Sequence, residues 1–218
     1  NPRVVISGNF ATPYVVLDAL DALIPEYRLH MLNAHGDIPH REGVIYETSF
    51  VGPAMRGIDE LHYLPARLSM VPRLIRTHCR PDIVVIHCTT PRNGFVSLGT
   101  EVNILPAAIE SVRRHGGIVI AASNPHMPYT FGDAEIPLED IDYLVPIDSR
   151  MGTKEPTAPD DTAMAIGARI ADHIGDGSTL QLGIGDIPNA TLHALLGRRE
   201  LRIWTEMFSD GVLALERA

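Results

Sequence analysis

The chain has 218 residues, 45% of them hydrophobic and 21% charged, with a formal net charge of -9. That is the balance of an ordinary soluble globular protein, long enough for one large α/β domain or two small ones. An acidic chain whose basic clusters stop at pairs such as Arg113-Arg114 and Arg198-Arg199 has no stripe to track phosphates or dock on an anionic bilayer, which argues against nucleic acid and membrane as partners.

Along the chain, Val4-Val5-Ile6 form a short buried strand over 3–7. Thr12 reads as a helix N-cap with Pro13 at the first helical position. Val16, Leu20, Leu23 and Ile24 follow at helical spacing, and Pro25 ends the run. A second strand is expected at 28–32. From Asn33 to about Ser69 the pattern gives way to loops with short strands near 44–51 and 61–63. A helix near 69–78 leads into Ile83-Val84-Val85-Ile86, a continuous apolar run suited to a central parallel strand. Next come a helix near 103–114 with Leu105, Ala108, Ile109 and Val112 on one face, a strand at 118–121 and another near 141–147. The Pro- and Thr-bearing stretch 149–160 reads as a linker and a candidate subdomain boundary. Asp160-Asp161 then open a helix striped by Ala163, Ile166, Ile170 and Ile174. A strand from Thr179 to Ile184, a helix over 187–196 with Gly197 as C-cap, and a strand from Leu201 to Thr205 complete the order. Alternating β and α elements imply a mostly parallel sheet with helices on both faces. The chain lacks an initiator Met at Asn1 and any terminating signal at Ala218, and is expected to be a piece cut at both ends.

The two cysteines, Cys79 and Cys88, each follow a histidine, but their separation is wider than the tight pairs of a zinc site. They read as packing residues in a reducing, cytoplasmic compartment, with no disulfide framework. The loop bearing His35, Asp37 and His40 is a weak metal candidate, and no metal is expected. Ligands of open parallel sheets bind beyond the carboxyl ends of the strands. That rule selects Gly183-Ile184-Gly185, which ends a strand before a helix and offers N–H groups to an anion or an oxyanion. It also selects Glu206, directly after Leu201–Thr205. One βαβ crossover over 179–205 makes the two strands parallel neighbours and brings Glu206 to the same edge as the glycine turn. Taken alone, the glycines read equally as a tight βα turn and Glu206 as an acid at a helix N-terminus. Asn9, Ser97 and Gly99, near strand ends, are candidate pocket residues.

Gln181-Leu182-Gly183-Ile184-Gly185-Asp186-Ile187-Pro188-Asn189-Ala190, followed by Thr205-Glu206-Met207-Phe208-Ser209-Asp210-Gly211, resembles the acetyl-CoA hydrolase/transferase family, which includes 4-hydroxybutyrate, acetate and butyrate CoA-transferases. Gly52-Pro53, Tyr63-Leu64-Pro65 and Ser97-Leu98-Gly99 agree, so the resemblance covers essentially the whole chain. Trp204 departs from it, standing where many relatives have His. The resemblance implies a CoA-transferase fold, with residues 1–218 as the front half and a missing C-terminal half carrying much of the CoA surface. It makes Glu206 the catalytic glutamate and Gly183–Gly185 the oxyanion or CoA-thioester contact. It further implies coenzyme A as acyl-CoA substrate, a small carboxylate as acceptor, a homo-oligomer, and an inactive fragment in isolation. An acetyl-CoA hydrolase with the same nucleophile is the nearest alternative. A sugar-phosphate isomerase of similar architecture and a non-catalytic ligand-binding domain are the others.

Overall fold

The computed structural model describes residues 1–153 and 157–218. The chain divides into two units, Asn1–Thr153 and Lys154–Ala218. The division falls inside the expected boundary at 149–160, of which residues 154–156 lie outside the described residues.

The first unit contains, in order, β1 (Arg3–Ile6), α1 (Tyr14–Leu23), β2 (Tyr27–His30), β3 (Val44–Thr48), β4 (His62–Tyr63), α2 (Val71–Thr77), β5 (Ile83–Cys88), β6 (Phe95–Ser97), α3 (Leu105–His115), β7 (Ile118–Ser123), β8 (Glu135–Pro137) and β9 (Tyr143–Pro146). Seven strands form one sheet in the order β4-β3-β2-β1-β5-β7-β9, and every pairing in it is parallel. The apolar runs are continuous because both sheet faces are covered. Val4, Ile6 and Val85 point into the cluster that holds Val16, Leu17 and Leu20 of α1. Val5, Val84 and Ile86 point the other way, onto Ile75 of α2 and Leu105, Ala108 and Val112 of α3. Burial of each such side chain contributes about 1.5–3 kcal/mol. The order of strands reverses between β1 and β5, so the switch point of this sheet lies at their carboxyl ends.

Several local expectations need correction. Pro13, not Thr12, occupies the cap of α1; the Thr12 hydroxyl donates instead to Asn9 O at 3.1 Å. Leu23 is 81% exposed, since α1 buries the face of Val16, Leu17 and Leu20. The antiparallel pair β6–β8 was missed, because two three-residue strands are too short to show alternation.

The second unit contains α4 (Asp161–Ala171), β10 (Thr179–Leu180), α5 (Asp186–Ala194), β11 (Arg202–Ile203) and α6 (Asp210–Arg217). Asp160 caps α4, accepting the Ala163 N–H at 2.7 Å. Strands β10 and β11 pair in parallel across α5, as the crossover requires, but each is two residues long. Of the stripe expected on α4, Ala163 is buried and Ile174, just beyond the helix, is packed against the core, but the isoleucines between them are not on the buried face. Ala163, Gly167 and Ala171 are buried, while Ile166 and Ile170 are exposed. Small residues win because α5 runs so close: a Cβ on Gly167 would stand 2.7 Å from the Ala190 carbonyl carbon and the Thr191 nitrogen. Helix α5 ends at Ala194 and is capped by Leu195, so Gly197 is not its C-cap.

Candidate active site

Parallel pairing carries β10 and β11 out at the same edge, and a side chain then ties their extensions together. Thr205 Oγ1 accepts the Leu182 N–H at 3.2 Å. Its single proton faces Leu182 O at 2.8 Å and Met207 O at 2.9 Å. This clamp prolongs the pairing begun by Trp204 N–H to Leu180 O at 2.9 Å. It fixes the segment carrying Glu206 against the one that becomes Gly183-Ile184-Gly185. Glu206 itself is exposed, as are these three residues.

Gly185 caps α5 with φ +117, a conformation that glycine alone adopts without strain. Nothing lies within 4 Å of the Cβ it lacks, so the requirement is conformational rather than steric. The N–H groups at this turn and at the first helical positions have no intrahelical partner, and Pro188 brings none of its own. Asp186 places a carboxylate in the same first turn. A groove of about 730 Å³ runs from Gly185 past Asn189 and His193 to Phe208 and Ser209. Asn189 Oδ1 and Ser209 Oγ are buried without a hydrogen-bond partner among the described residues. Glu206 does not line this groove; its neighbours in sequence Phe208 and Ser209 do.

The remaining candidates belong to the first unit. Asn9, with φ +53, lines a cavity of about 420 Å³ together with Phe10, Thr100, Glu101, His126 and Met151. Ser97 and Gly99 do not line it; they brace its surroundings. Ser97 Oγ donates to Thr130 O at 2.7 Å and accepts the N–H groups of Gly99 and Thr130. Gly99 has φ +63, and a Cβ there would fall 2.2 Å from Met127 Sδ. Glu101, which sequence reasoning passed over, is 4% exposed and accepts from Asn103 Nδ2 at 2.9 Å. Burial raises its carboxyl pKa, while the Asn103 amide, the Gly8 N–H and the Asn9 side chain pull the other way.

Of the metal candidates, Cys79 and Cys88 are both buried and free. His35 stacks on Phe10 at 5.0 Å and His40 on Tyr46 at 5.7 Å. Among the described residues no three His, Cys, Asp or Glu side chains are grouped to hold a metal ion, and no helix is long and apolar enough to cross a membrane.

The seven-stranded parallel sheet with helices on both faces defines an α/β protein of the CoA-transferase fold. The 4-hydroxybutyrate CoA-transferase of Porphyromonas gingivalis superposes with a TM-score of 0.79 at 30% identity, over 100% of this chain and 53% of that one. RipA of Yersinia pestis, at 23% identity, shares the fold with a TM-score of 0.87, over 99% of this chain and 55% of that one. A model of the acetyl-CoA hydrolase/transferase N-terminal domain matches residues 45–153, and the chain belongs to that family. The 4-hydroxybutyrate coenzyme A transferase of Clostridium kluyveri is 39% identical over 99% of this chain and 52% of its own length. The succinyl-CoA:acetate/propanoyl-CoA:succinate CoA transferase of Fasciola hepatica is 33% identical over 98% and 47%. The chain spans about half the length of the curated relatives it matches.

Proposed function

We propose that the full-length protein exchanges CoA between an acyl-CoA and a short carboxylic acid, with Glu206 as the nucleophile. The observation that carries this reading is the Thr205 clamp, which holds the Glu206 segment beside the glycine turn before α5. The Glu206 carboxylate attacks the acyl-CoA carbonyl; a C–O bond forms, the C–S bond breaks, and a mixed anhydride and CoA thiolate result. The thiolate then attacks the glutamyl carbonyl, expelling the first acid as its carboxylate and leaving a glutamyl-CoA thioester. An acceptor carboxylate runs both steps backwards, with no net proton consumed, so ping-pong kinetics follow. Backbone N–H groups of the Gly183–Gly185 turn stabilise each tetrahedral oxyanion, on the order of 3 kcal/mol per donor. The remaining half of the protein is assigned much of the CoA surface, and this chain alone is expected to be inactive.

The test is intact-mass analysis of the full-length protein with acetyl-CoA, before and after borohydride. A CoA adduct on the peptide carrying Glu206, reduced by borohydride to the alcohol and missing from Glu206→Ala, is the expected result. Acetyl-CoA binding without any adduct, together with turnover that needs no acceptor acid, would replace the transferase with the hydrolase.

A further inference from the structure

At the carboxyl ends of β1, β5 and β7 lies a buried hydrogen-bond network that the proposed acyl transfer does not use. Its centre is His87, 4% exposed. His87 Nδ1 faces the Ala11 carbonyl oxygen at 3.1 Å, which can only accept, so Nδ1 carries the proton of the neutral ring. Nε2 is then an acceptor, and Asn124 Nδ2 donates to it at 2.9 Å. The orientation of the Asn124 amide is fixed from both ends. Its Nδ2 also donates to Ser149 O at 2.7 Å, with Met151 Sδ at 3.8 Å, and its Oδ1 accepts the His126 N–H at 3.1 Å. Asn124 is fully buried. The backbone around the ring is pinned as well: Ser7 Oγ accepts the His87 N–H at 3.0 Å, and the Asn124 N–H reaches Cys88 O at 2.8 Å.

This network has room for one protonation state. A proton on Nε2 would face the Asn124 NH2 group, donor against donor. Turning the amide over to offer Oδ1 would set that oxygen against Ser149 O and the NH2 group against the His126 N–H, giving up both bonds. Among the described residues, Arg150 and Tyr14 line the cavity beside His87 and no carboxylate does, so no negative charge there compensates a charged ring. Burial holds the His87 pKa below its ordinary value, although the Ala11 hydrogen bond pulls the other way. We infer that His87 is a pH-sensitive latch: neutral, it holds residues 149–151 through Asn124 against the ends of β5 and β7, and its protonation releases them, close to the end of the first unit at Thr153. Because the folded pKa lies below the unfolded one of about 6.5, the unfolded state takes up the proton first, and the latch weakens as pH falls below that value. The neighbouring pair of His126 Nε2 and Asp148 Oδ1, at 2.8 Å, works in the opposite direction, since a proton on His126 strengthens it.

Hydrogen–deuterium exchange of the full-length protein at pH 7.5 and 5.5, with exchange times scaled to equal intrinsic rates, tests this. Amides of residues 147–153 are expected to lose protection about ten-fold or more at pH 5.5, while the centres of β5 and β7 keep theirs. His87→Gln, whose side-chain oxygen can accept from Asn124 but takes up no proton in this range, should remove the pH dependence. Because that variant disturbs a buried site, the wild-type protein is also followed by the slow exchange of the histidine ring Cε1 hydrogens, which reports the titration of each ring. The loss of protection should share the His87 midpoint, below about 6.5. Protection unchanged between the two pH values, a change that persists in folded His87→Gln, or a change whose midpoint is not that of His87 would overturn the inference.

Discussion

The last side-chain tie before Glu206 is one hydroxyl group, and Thr205→Val removes it at nearly constant volume. The substitution leaves the Leu182 N–H without its acceptor and deletes the donor shared by Leu182 O and Met207 O. Two hydrogen bonds of ordinary strength are lost, together about 2 kcal/mol. The local sheet can absorb little of this, since β10 and β11 pair over only two residues each. Loosening should therefore appear first in the geometry of the site, where a displacement of about 1 Å costs roughly 100-fold in rate. Steady-state kinetics of the full-length variant should show kcat down by about that factor, with the KM for acyl-CoA changed by only a few-fold. Thr205→Ser keeps the hydroxyl and should recover most of the rate. Activity of Thr205→Val within three-fold of wild type, with unchanged thermal stability, would mean that the clamp does not position the nucleophile.

The other predictions concern the scaffold. Glu47 is buried against Arg3 Nε and Arg28 Nη1, each at 2.8 Å. Burial opposes its ionisation, but the arginines outweigh it and hold the carboxyl well below the usual range; His30 Nδ1, at 3.8 Å, is beyond hydrogen-bond length. A depressed folded pKa gives stability that is present above the unfolded value of about 4.3 and lost as pH falls towards the folded one. Wild type should thus lose Tm below about pH 5. Glu47→Gln should start lower at pH 7, by about 2–3 kcal/mol because both arginines still reach solvent, and lose less on acidification; parallel curves in a thermal melt would contradict this. Gly167→Ala gains about 1 kcal/mol of helix propensity but drives a Cβ to 2.7 Å from α5 backbone, an overlap costing about 1–3 kcal/mol. A net loss in urea unfolding is expected, and a net gain would show that α4 and α5 can separate freely. Cys88 is buried and its thiol is pushed up to about 12 by that burial, so iodoacetamide at pH 8 should leave it unlabelled in the folded protein and label it in denaturant.

The legible parts of the fold were those whose pattern is local. Ile83–Ile86 and Ile118–Ala121 stand out because a strand covered on both faces must be apolar at every position. The face of α3 at Leu105, Ala108, Ile109 and Val112 is buried where its spacing put it. What escaped depends on partners distant in sequence. Ile166 and Ile170 continue the stripe from Ala163 better than Gly167 and Ala171 by hydrophobicity, yet the nearness of α5 at Ala190 reverses the choice. The strands β6 and β8 acquire meaning only from each other.

The two candidate sites differ in the same way. Glu206 and the glycine turn could be assigned to one edge from sequence because a single βαβ crossover fixes both strand direction and edge, and the family motifs fall on those same residues. Glu101 could not, because its significance comes from the order of strands β1 and β5, set by pairings across 79 residues between Val4 and Ile83 and their neighbours. Read alone, an acid just ahead of a helix is unremarkable. Only the closure of the sheet turns it into a buried carboxyl at a switch point, beside an asparagine whose amide is already oriented by Asn33.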